Sequence, residues 1–405
     1  MHILAGWDND PEAQLLQTFL GVEHDVEFTT TGDDFLAAID SGRTFDVILM
    51  SINLPDIDSG YQLFQRVHER FPQAPILGAC SPSDMFRIVR LMATGMNAYV
   101  IRDMGGDYVF MLQSILESTV EAVLAARDQE LARKLREEIE SVRRLQASVI
   151  PRHLEAPPGY EICGRYEPSQ IRVLGGQPVT MAGGDYYDVF TLPDNNIVLL
   201  VGDASGHGMK ACMSIMTMHT LVRMIRTQQY TDTAQFVREI NNQLCEQSIV
   251  SEEGGFITLL YGILNIETNE LQWSAAGHQA PILLNLDTGE IGPVADADAG
   301  GLPLAVMEEA DYDSYSLSIP ENCRLLLYTD GLEEAFPDNS SGDIHDQFGI
   351  DGITRSLLET AELPLEESLS ILFDASSEHT QGSGRHDDTS VLYLERRKSV
   401  QESGD

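Results

Sequence analysis

Basic residues are scarce in this chain. Its 405 residues hold 25 Lys and Arg against 64 Asp and Glu, a formal net charge of −39. A field of that sign repels phosphodiester backbones and anionic lipid, which argues against nucleic acid and membrane as partners. Cysteine is sparse too: Cys80, Cys163, Cys212, Cys245 and Cys323 lie far apart with no C-x-x-C pair. That pattern gives neither a disulfide framework nor a zinc-ligand spacing, and it suits reduced thiols in a cytoplasm. No apolar run approaches the roughly 20 residues that span a bilayer. The opening segment, Met1 to Asp8, lacks the basic region and long apolar stretch of a secretory signal. Low-complexity tracts are missing as well, and an apolar fraction of 43% is enough for sizeable cores. Most of the acid reads as solvated surface, since a metal site needs only a handful of carboxylates.

A chain of this length predicts two or three domains. Residues 1–115 alternate strand-like and helix-like segments. Phe45-Asp46-Val47-Ile48-Leu49-Met50 is nearly all apolar, as in a strand buried on both faces of a parallel sheet. The expectation is a doubly wound α/β domain, with its ligand sites at the carboxyl ends of the strands. Residues 116–151 then read as a helical linker, free of Gly and Pro until Pro151. Leu124, Leu131, Leu135, Val142, Leu145 and Val149 recur at heptad spacing, broken by Asp128 and Glu138. This predicts a coiled coil that pairs two copies of the chain; a lone solvated helix is the competing reading. Residues 152–396 hold most of the glycines and a series of strand-like runs joined by short turns, which predicts a layered α+β domain. Residues 397–405 are expected to form a frayed tail.

Four acidic motifs are spread over the third region: Gly183-Gly184-Asp185-Tyr186-Tyr187-Asp188, Gly202-Asp203-Ala204-Ser205-Gly206-His207-Gly208, Tyr328-Thr329-Asp330-Gly331-Leu332 and His386-Asp387-Asp388-Thr389-Ser390. Asp203 and Asp330 each follow an apolar run, which places them at strand ends. Oxygen-only clusters without Cys or paired His suit hard divalent ions such as Mg²⁺ or Mn²⁺. Such ions lower the pKa of a bound water and clamp a phosphoryl group. Each motif alone is weak, because Asp-Gly is usually only a turn.

Together, in this order, the motifs resemble the PPM family of metal-dependent protein phosphatases, and within it the bacterial SpoIIE/RsbU branch. Ala275-Ala276-Gly277-His278-Gln279-Ala280-Pro281 and Gly301-Leu302-Pro303-Leu304 resemble two further segments of that branch, with Gln279 where it prefers Asn. Arg144-Leu145-Gln146-Ala147-Ser148-Val149-Ile150-Pro151 resembles the element that leads into its phosphatase domains. The resemblance implies a β-sandwich flanked by helices, two Mn²⁺ or Mg²⁺ ions, and attack on phosphoserine or phosphothreonine by a metal-bridging water. It implies that Asp203 bridges the ions with the carbonyl of Ala204 on one of them, that Asp330 and Asp387 bind the other, and that Asp185 holds metal waters. Asp388 is the alternative to Asp387. His207 is open between proton donor and loop-shaping residue, and His278 reads as structural.

The first region resembles the response-regulator receiver, on Asp8-Asn9-Asp10-Pro11, Asn53-Leu54-Pro55-Asp56 with Gly60, Pro75-Ile76-Leu77 and Gly95-Met96-Asn97-Ala98-Tyr99. Aligned on these, the phosphoacceptor position falls on Ser51, the switch position on Cys80 and the lysine position on Arg102. Asp8 and Asn9 are what remains of the acidic pair. Serine cannot form an acyl phosphate, so a pseudo-receiver is expected. By resemblance the whole is a cytoplasmic phosphatase acting on a phosphorylated STAS-type anti-sigma-factor antagonist, regulated from its front half and dimeric through the linker. A non-catalytic partner-switching scaffold and a small-molecule phosphohydrolase are the competing functions.

Overall fold

Apolar runs such as Val47–Ser51 offer water no polar face, so they lie in the middle of a sheet covered on both sides. The computed structural model shows this arrangement. It describes residues 1–398 apart from 104, 152, 172–178, 181, 193–194, 207, 226–231, 252–253, 338–343 and 383. The expected tail thus lies almost wholly outside the described residues. The chain divides into two compact units, Met1–Leu135 and the part from Arg136 on.

In the first unit, β1 (His2–Gly6), β2 (Asp25–Thr29), β3 (Val47–Ser51), β4 (Ile76–Cys80) and β5 (Ala98–Ile101) form a sheet in the order β2-β1-β3-β4-β5. Every pairing is parallel. Helices α1 (Asp10–Leu20), α2 (Gly32–Asp40), α3 (Gly60–Arg70) and α4 (Met85–Ala93) alternate with the strands. One apolar layer joins Leu16 and Leu20 to Trp7, Leu49 and Leu77. The other joins Phe35, Phe64, Val67 and Ile88 to Ile48 and Met50. This is the doubly wound α/β domain that the alternation predicts.

The linker differs from its expected start. Helix α5 runs from Tyr108 to Val149, without a break at residue 116. Gly105-Gly106 are the last helix breakers before it, so the closing helix of the first domain continues into the linker. Its first turns bury Val109, Leu112 and Leu116 under the sheet. Beyond them Leu124, Leu131 and Leu135 are more than half exposed. With a mean hydropathy of 1.4 over one stretch, α5 is, among the described residues, the one helix long and apolar enough to cross a membrane. Sequence inspection passed over it because a few charged residues interrupt the run.

The second unit is a β-sandwich. One sheet has the order β15-β12-β11-β10-β9, from β9 (Asp185–Leu192), β10 (Asn196–Ala204), β11 (Ile257–Asn265), β12 (Glu270–Ala276) and β15 (Tyr315–Ser318). The other has the order β14-β13-β16-β17-β6, from β6 (Tyr160–Glu167), β13 (Ile282–Asn285), β14 (Ile291–Pro293), β16 (Cys323–Tyr328) and β17 (Thr389–Arg396). A short ribbon pairs β7 (Gln170–Ile171) with β8 (Val179–Thr180). Along β10 the side chains alternate faces: Leu199 and Val201 enter the layer between the sheets, with Leu325 and Leu392, while Val198 and Leu200 face outwards. That outer face is covered by α6 (Met209–Ile225), α7 (Thr233–Cys245) and α8 (Ser248–Ser251), through Ile215, Phe236 and Val250. The short α9 (Asp330–Glu333), α10 (Gly349–Glu359) and α11 (Leu365–His379) cover the opposite sheet, through Leu332, Leu357 and Phe373.

Candidate metal centre

The sandwich brings strand ends from both sheets together. In the antiparallel pair of β9 and β10, Asp203 stands opposite Asp185. From the other sheet, β16 delivers Thr329 and Asp330, and Asp387 and Asp388 precede β17. Thr329 links the two sheets: its hydroxyl donates to Asp185 Oδ2 at 2.7 Å and accepts the amide of Ser390 at 2.8 Å. Asp185 and Thr329 are each about 1% exposed. Gln279 pins the same strand end, its side-chain amide donating to the carbonyl of Tyr328 at 2.7 Å.

The carboxylates repel one another, with Asp185 buried and Asp203, Asp330 and Asp387 partly so. Burial raises the pKa of Asp185 well above the usual range, and the charge of Asp388 adds to this. Burial, then Asp185, Asp330 and Asp387, push Asp203 up to about 11. Asp330 is raised by burial, and Asp387 is raised to about 7 chiefly by burial. Among the described residues, no Arg, Lys or His figures among the groups acting on these four aspartates.

Two oxygens are orphaned: Asp185 Oδ1 and Asp330 Oδ1 are buried with no hydrogen-bond partner. Gly184 keeps the neighbouring corner clear, since a Cβ there would lie 2.6 Å from the carbonyl oxygen of Ala204 and 3.1 Å from Asp203 Oδ1. Unsatisfied hard oxygens, mutual repulsion and a glycine-cleared corner fit divalent cations with oxygen ligands.

Asp388 is placed differently from its neighbour. Its Oδ1 accepts the amide of Ser169 at 2.7 Å and its Oδ2 that of Gly184 at 2.6 Å. A Cβ on Gly183 would collide with this carboxylate. Both oxygens are thus used in tying the chain together. Asp387, half-buried, caps the turn by accepting the amide of Asp388 at 2.8 Å. Asp188, last of its motif, pairs instead with Arg223 at 2.8 Å. His278 is 2% exposed, burial lowers its pKa to about 4, and its Nε2 is buried without a hydrogen-bond partner. His207 lies outside the described residues.

Two contributors were missed in the sequence. Thr329 stood in a quoted motif without a role. Gln146, on the last turn of α5, is fully buried and exchanges hydrogen bonds with Gly183. A glutamine in a helix otherwise rich in exposed charge was the available signal.

The receiver-like pocket in the first unit is closed by its own cation. The guanidinium of Arg102 contacts Asp8, with one nitrogen–oxygen distance of 3.1 Å, and lies 3.5 Å from Glu12. Glu12 also accepts from Trp7 Nε1 at 3.0 Å and from the hydroxyl of Tyr108 at 2.9 Å. Asn9 is turned away as the N-cap of α1, accepting the amide of Glu12 at 3.1 Å. Ser51 is buried at the end of β3 and accepts the amide of Asn53 at 3.3 Å. Cys80 is buried at the end of β4, and that burial raises its thiol pKa.

Comparison with known proteins follows this division. Residues 193–397 match the family described as stage II sporulation protein E (SpoIIE), and residues 8–109 match the response regulator receiver domain. Asp185 lies ahead of the first match. Protein IcfG of Synechocystis is 23% identical over 319 residues, covering 72% of this chain and 46% of its own length. Phosphoserine phosphatase RsbP of Bacillus subtilis is 28% identical over 150 residues, covering 37% of this chain and 36% of its own. The chain therefore spans less than half the length of these curated relatives. The SiaA-PP2C domain of Pseudomonas aeruginosa has a similar fold, with a TM-score of 0.53 at 18% identity over 66% of this chain and 99% of that domain. The SpoIIE match takes in just over half of the residues, and the chain belongs to the SpoIIE family.

Proposed function

We propose that this SpoIIE-family chain is a metal-dependent serine/threonine protein phosphatase governed by a receiver domain that has lost its phosphate chemistry. The observation that carries this reading is the centre itself: four aspartates from two sheets and, among the described residues, no basic neighbour acting on them and two orphaned oxygens. Asp185, Asp203, Asp330, Asp387 and the carbonyl of Ala204 are the groups that would hold two Mn²⁺ or Mg²⁺ ions. When bound, such ions supply positive charge against the phosphoryl oxygens and make a water acidic enough to attack at neutral pH.

The remaining work falls to the chain. Thr329 fixes the orientation of Asp185 by bonding one oxygen and leaving the other facing the centre. Asp388 ties the Gly183–Gly184 turn to the second sheet, so that carboxylates from the two sheets keep their spacing. Water-excluding walls strengthen every charge interaction inside. No side chain is required as a covalent nucleophile.

The substrate is inferred to be a phosphoserine or phosphothreonine on a STAS-type anti-sigma-factor antagonist. That inference rests on the resemblance to the SpoIIE/RsbU branch and on a relative named as a phosphoserine phosphatase. The exposed Leu124, Leu131 and Leu135 of α5 support pairing of two copies through the linker, and the thiol pattern supports a cytoplasmic setting.

The test is phosphate release from a phosphoserine peptide with Mn²⁺, using the intact chain and Asp203→Asn. Metal-dependent release that the substitution abolishes supports the reading. Mn²⁺ binding without release from this peptide or from a phosphorylated STAS protein would point to a scaffold.

A further inference from the structure

In the first unit, away from Arg102 and its carboxylates, His24 is buried with neither of its polar atoms satisfied. It closes the turn between α1 and β2, where the amides of His24 and Glu23 bond back to the carbonyl of Leu20 at 3.0 and 3.3 Å. The His24 side chain is 8% exposed, yet Nδ1 and Nε2 are both buried without a hydrogen-bond partner. Buried polar groups left unpaired are destabilising, and each in a native fold needs a reason.

What His24 faces is acid. Its Nε2 lies 3.6 Å from Glu117 Oε1, beyond hydrogen-bond range. Gln113 and Glu117 stand about one turn apart on α5. Gln113 Nε2 donates to Glu23 Oε2 at 2.5 Å and to Glu117 Oε1 at 3.0 Å, so a single neutral amide gathers two carboxylates. Among the described residues, no Lys or Arg pairs with either of them. Ligand atoms of Glu23, His24 and Glu117 all lie within 4.8 Å of one another.

We propose that Glu23, His24 and Glu117 form a binding site for a transition-metal dication, with Zn²⁺ the best fit. One imidazole and two carboxylates are ligands that Zn²⁺ takes at about 2.0–2.2 Å. Mg²⁺ and Ca²⁺ prefer oxygen alone, so the imidazole selects against them. Ligand atoms around one tetrahedral Zn²⁺ are about 3.4 Å apart, so the cluster contracts by at most roughly 1.4 Å. Glu23 is exposed and the Glu117 side chain is 44% exposed, which leaves both free to make that movement. The fourth position falls to water or, with its carboxamide turned over, to Gln113 Oε1. The ion offsets two charges that the amide only bridges, and it gives His24 Nε2 a partner. Because β2 begins at Asp25, this cluster lies at the amino ends of the parallel strands, opposite the end that carries Asp8 and Ser51. A bound ion there joins the α1–β2 turn to α5 within the receiver domain.

The test reads Zn²⁺ binding by the full-length chain in excess Mg²⁺, which competes for the oxygen ligands of the sandwich. Calorimetry and equilibrium dialysis give affinity and stoichiometry for wild type, His24→Gln, Glu117→Ala and the exposed control His153→Gln. Hydrogen exchange locates the ion. The expected result is one more Zn²⁺ per chain in wild type than in His24→Gln, with affinity at this site lowered at least about 100-fold. Loss of a ligand should exceed the roughly 10- to 100-fold effect of losing a group that only orients one. Glu117→Ala should lose at least about tenfold, and His153→Gln should match wild type. Zn²⁺ should slow amide exchange in residues 21–29 and 110–120 of wild type and leave it unchanged in His24→Gln.

Equal Zn²⁺ uptake by wild type and His24→Gln, with no slowing in those residues, would overturn the proposal and leave His24 an imidazolium paired with Glu117. Should His24→Gln fail to fold, Glu117→Ala carries the test from the surface of α5. Wild-type affinity and wild-type slowing of exchange in that variant would overturn the proposal equally.

Discussion

The molecule contains two acidic pockets at strand ends, and they handle their charge in opposite ways. In the receiver domain Asp8 and Glu12 face Arg102, a cation built into the chain. In the sandwich Asp185, Asp203, Asp330 and Asp387 face one another, with burial and mutual repulsion raising every one of them. An internal guanidinium satisfies its carboxylates permanently and leaves a divalent ion neither room nor charge to bind. Among the described residues the sandwich pocket has no such partner, and carboxylates so placed hold protons or import cations. The two pockets thus differ in where their positive charge comes from.

The comparison can be broken most forcefully at Asp203. Asp203→Asn should reduce Mn²⁺-dependent phosphate release by at least about a hundredfold, as read by free-phosphate assay. A smaller loss would mean that the centre does not depend on this carboxylate.

Next in size is the effect of removing metal. A carboxyl with a raised folded-state pKa binds more protons folded than unfolded at pH values above its ordinary 3.8, so stability falls as pH rises towards the folded value. With Asp387 near 7 and Asp203 near 11, the metal-stripped chain should melt several degrees lower at pH 8 than at pH 5. Saturating Mn²⁺ should flatten that slope. Differential scanning calorimetry across this range decides it, and a stripped chain that gains stability with pH would contradict the arrangement.

In the receiver domain, Arg102→Ala leaves Asp8 and Glu12 facing each other, at an expected cost of about 1–3 kcal/mol in the unfolding of that unit. Urea unfolding checks it. Ser51→Asp alone should take up no label from acetyl phosphate with Mg²⁺, because Arg102 still holds Asp8. Ser51→Asp with Arg102→Lys should show weak labelling, and equal labelling of the two would show that Arg102 is no barrier. The smallest effect on either pocket is expected from Leu131→Asp with Leu135→Asp. These should lower the sedimentation mass from dimer towards monomer while leaving Mn²⁺ affinity within a few-fold.

Much of this was legible from residues alone, for identifiable reasons. The alternation in 1–115 specifies a parallel sheet because only strands covered on both faces are apolar throughout. The acidic motifs announce a centre because four of them share one region, and those of Asp203 and Asp330 place a carboxylate beside glycine at the end of an apolar run. Which of Asp387 and Asp388 is tied down was not legible: adjacent residues share a composition, and only Ser169 and Gly184, far off in sequence, distinguish them. The start of α5 was misplaced because a domain's closing helix and a linker have the same composition when no Gly or Pro divides them. Gln146 could be quoted but given no role, since its partner is a backbone 37 residues away.

The grip of Gln146 on Gly183 also has a mechanical tolerance. At 3.0 and 2.8 Å, its bonds are lost once the atoms separate beyond about 3.5 Å. An α-helix advances about 1.5 Å and turns about 100° per residue. Half an ångström of separation is therefore enough to break the longer bond and about 0.7 Å the shorter, less than the advance of one residue along the helix.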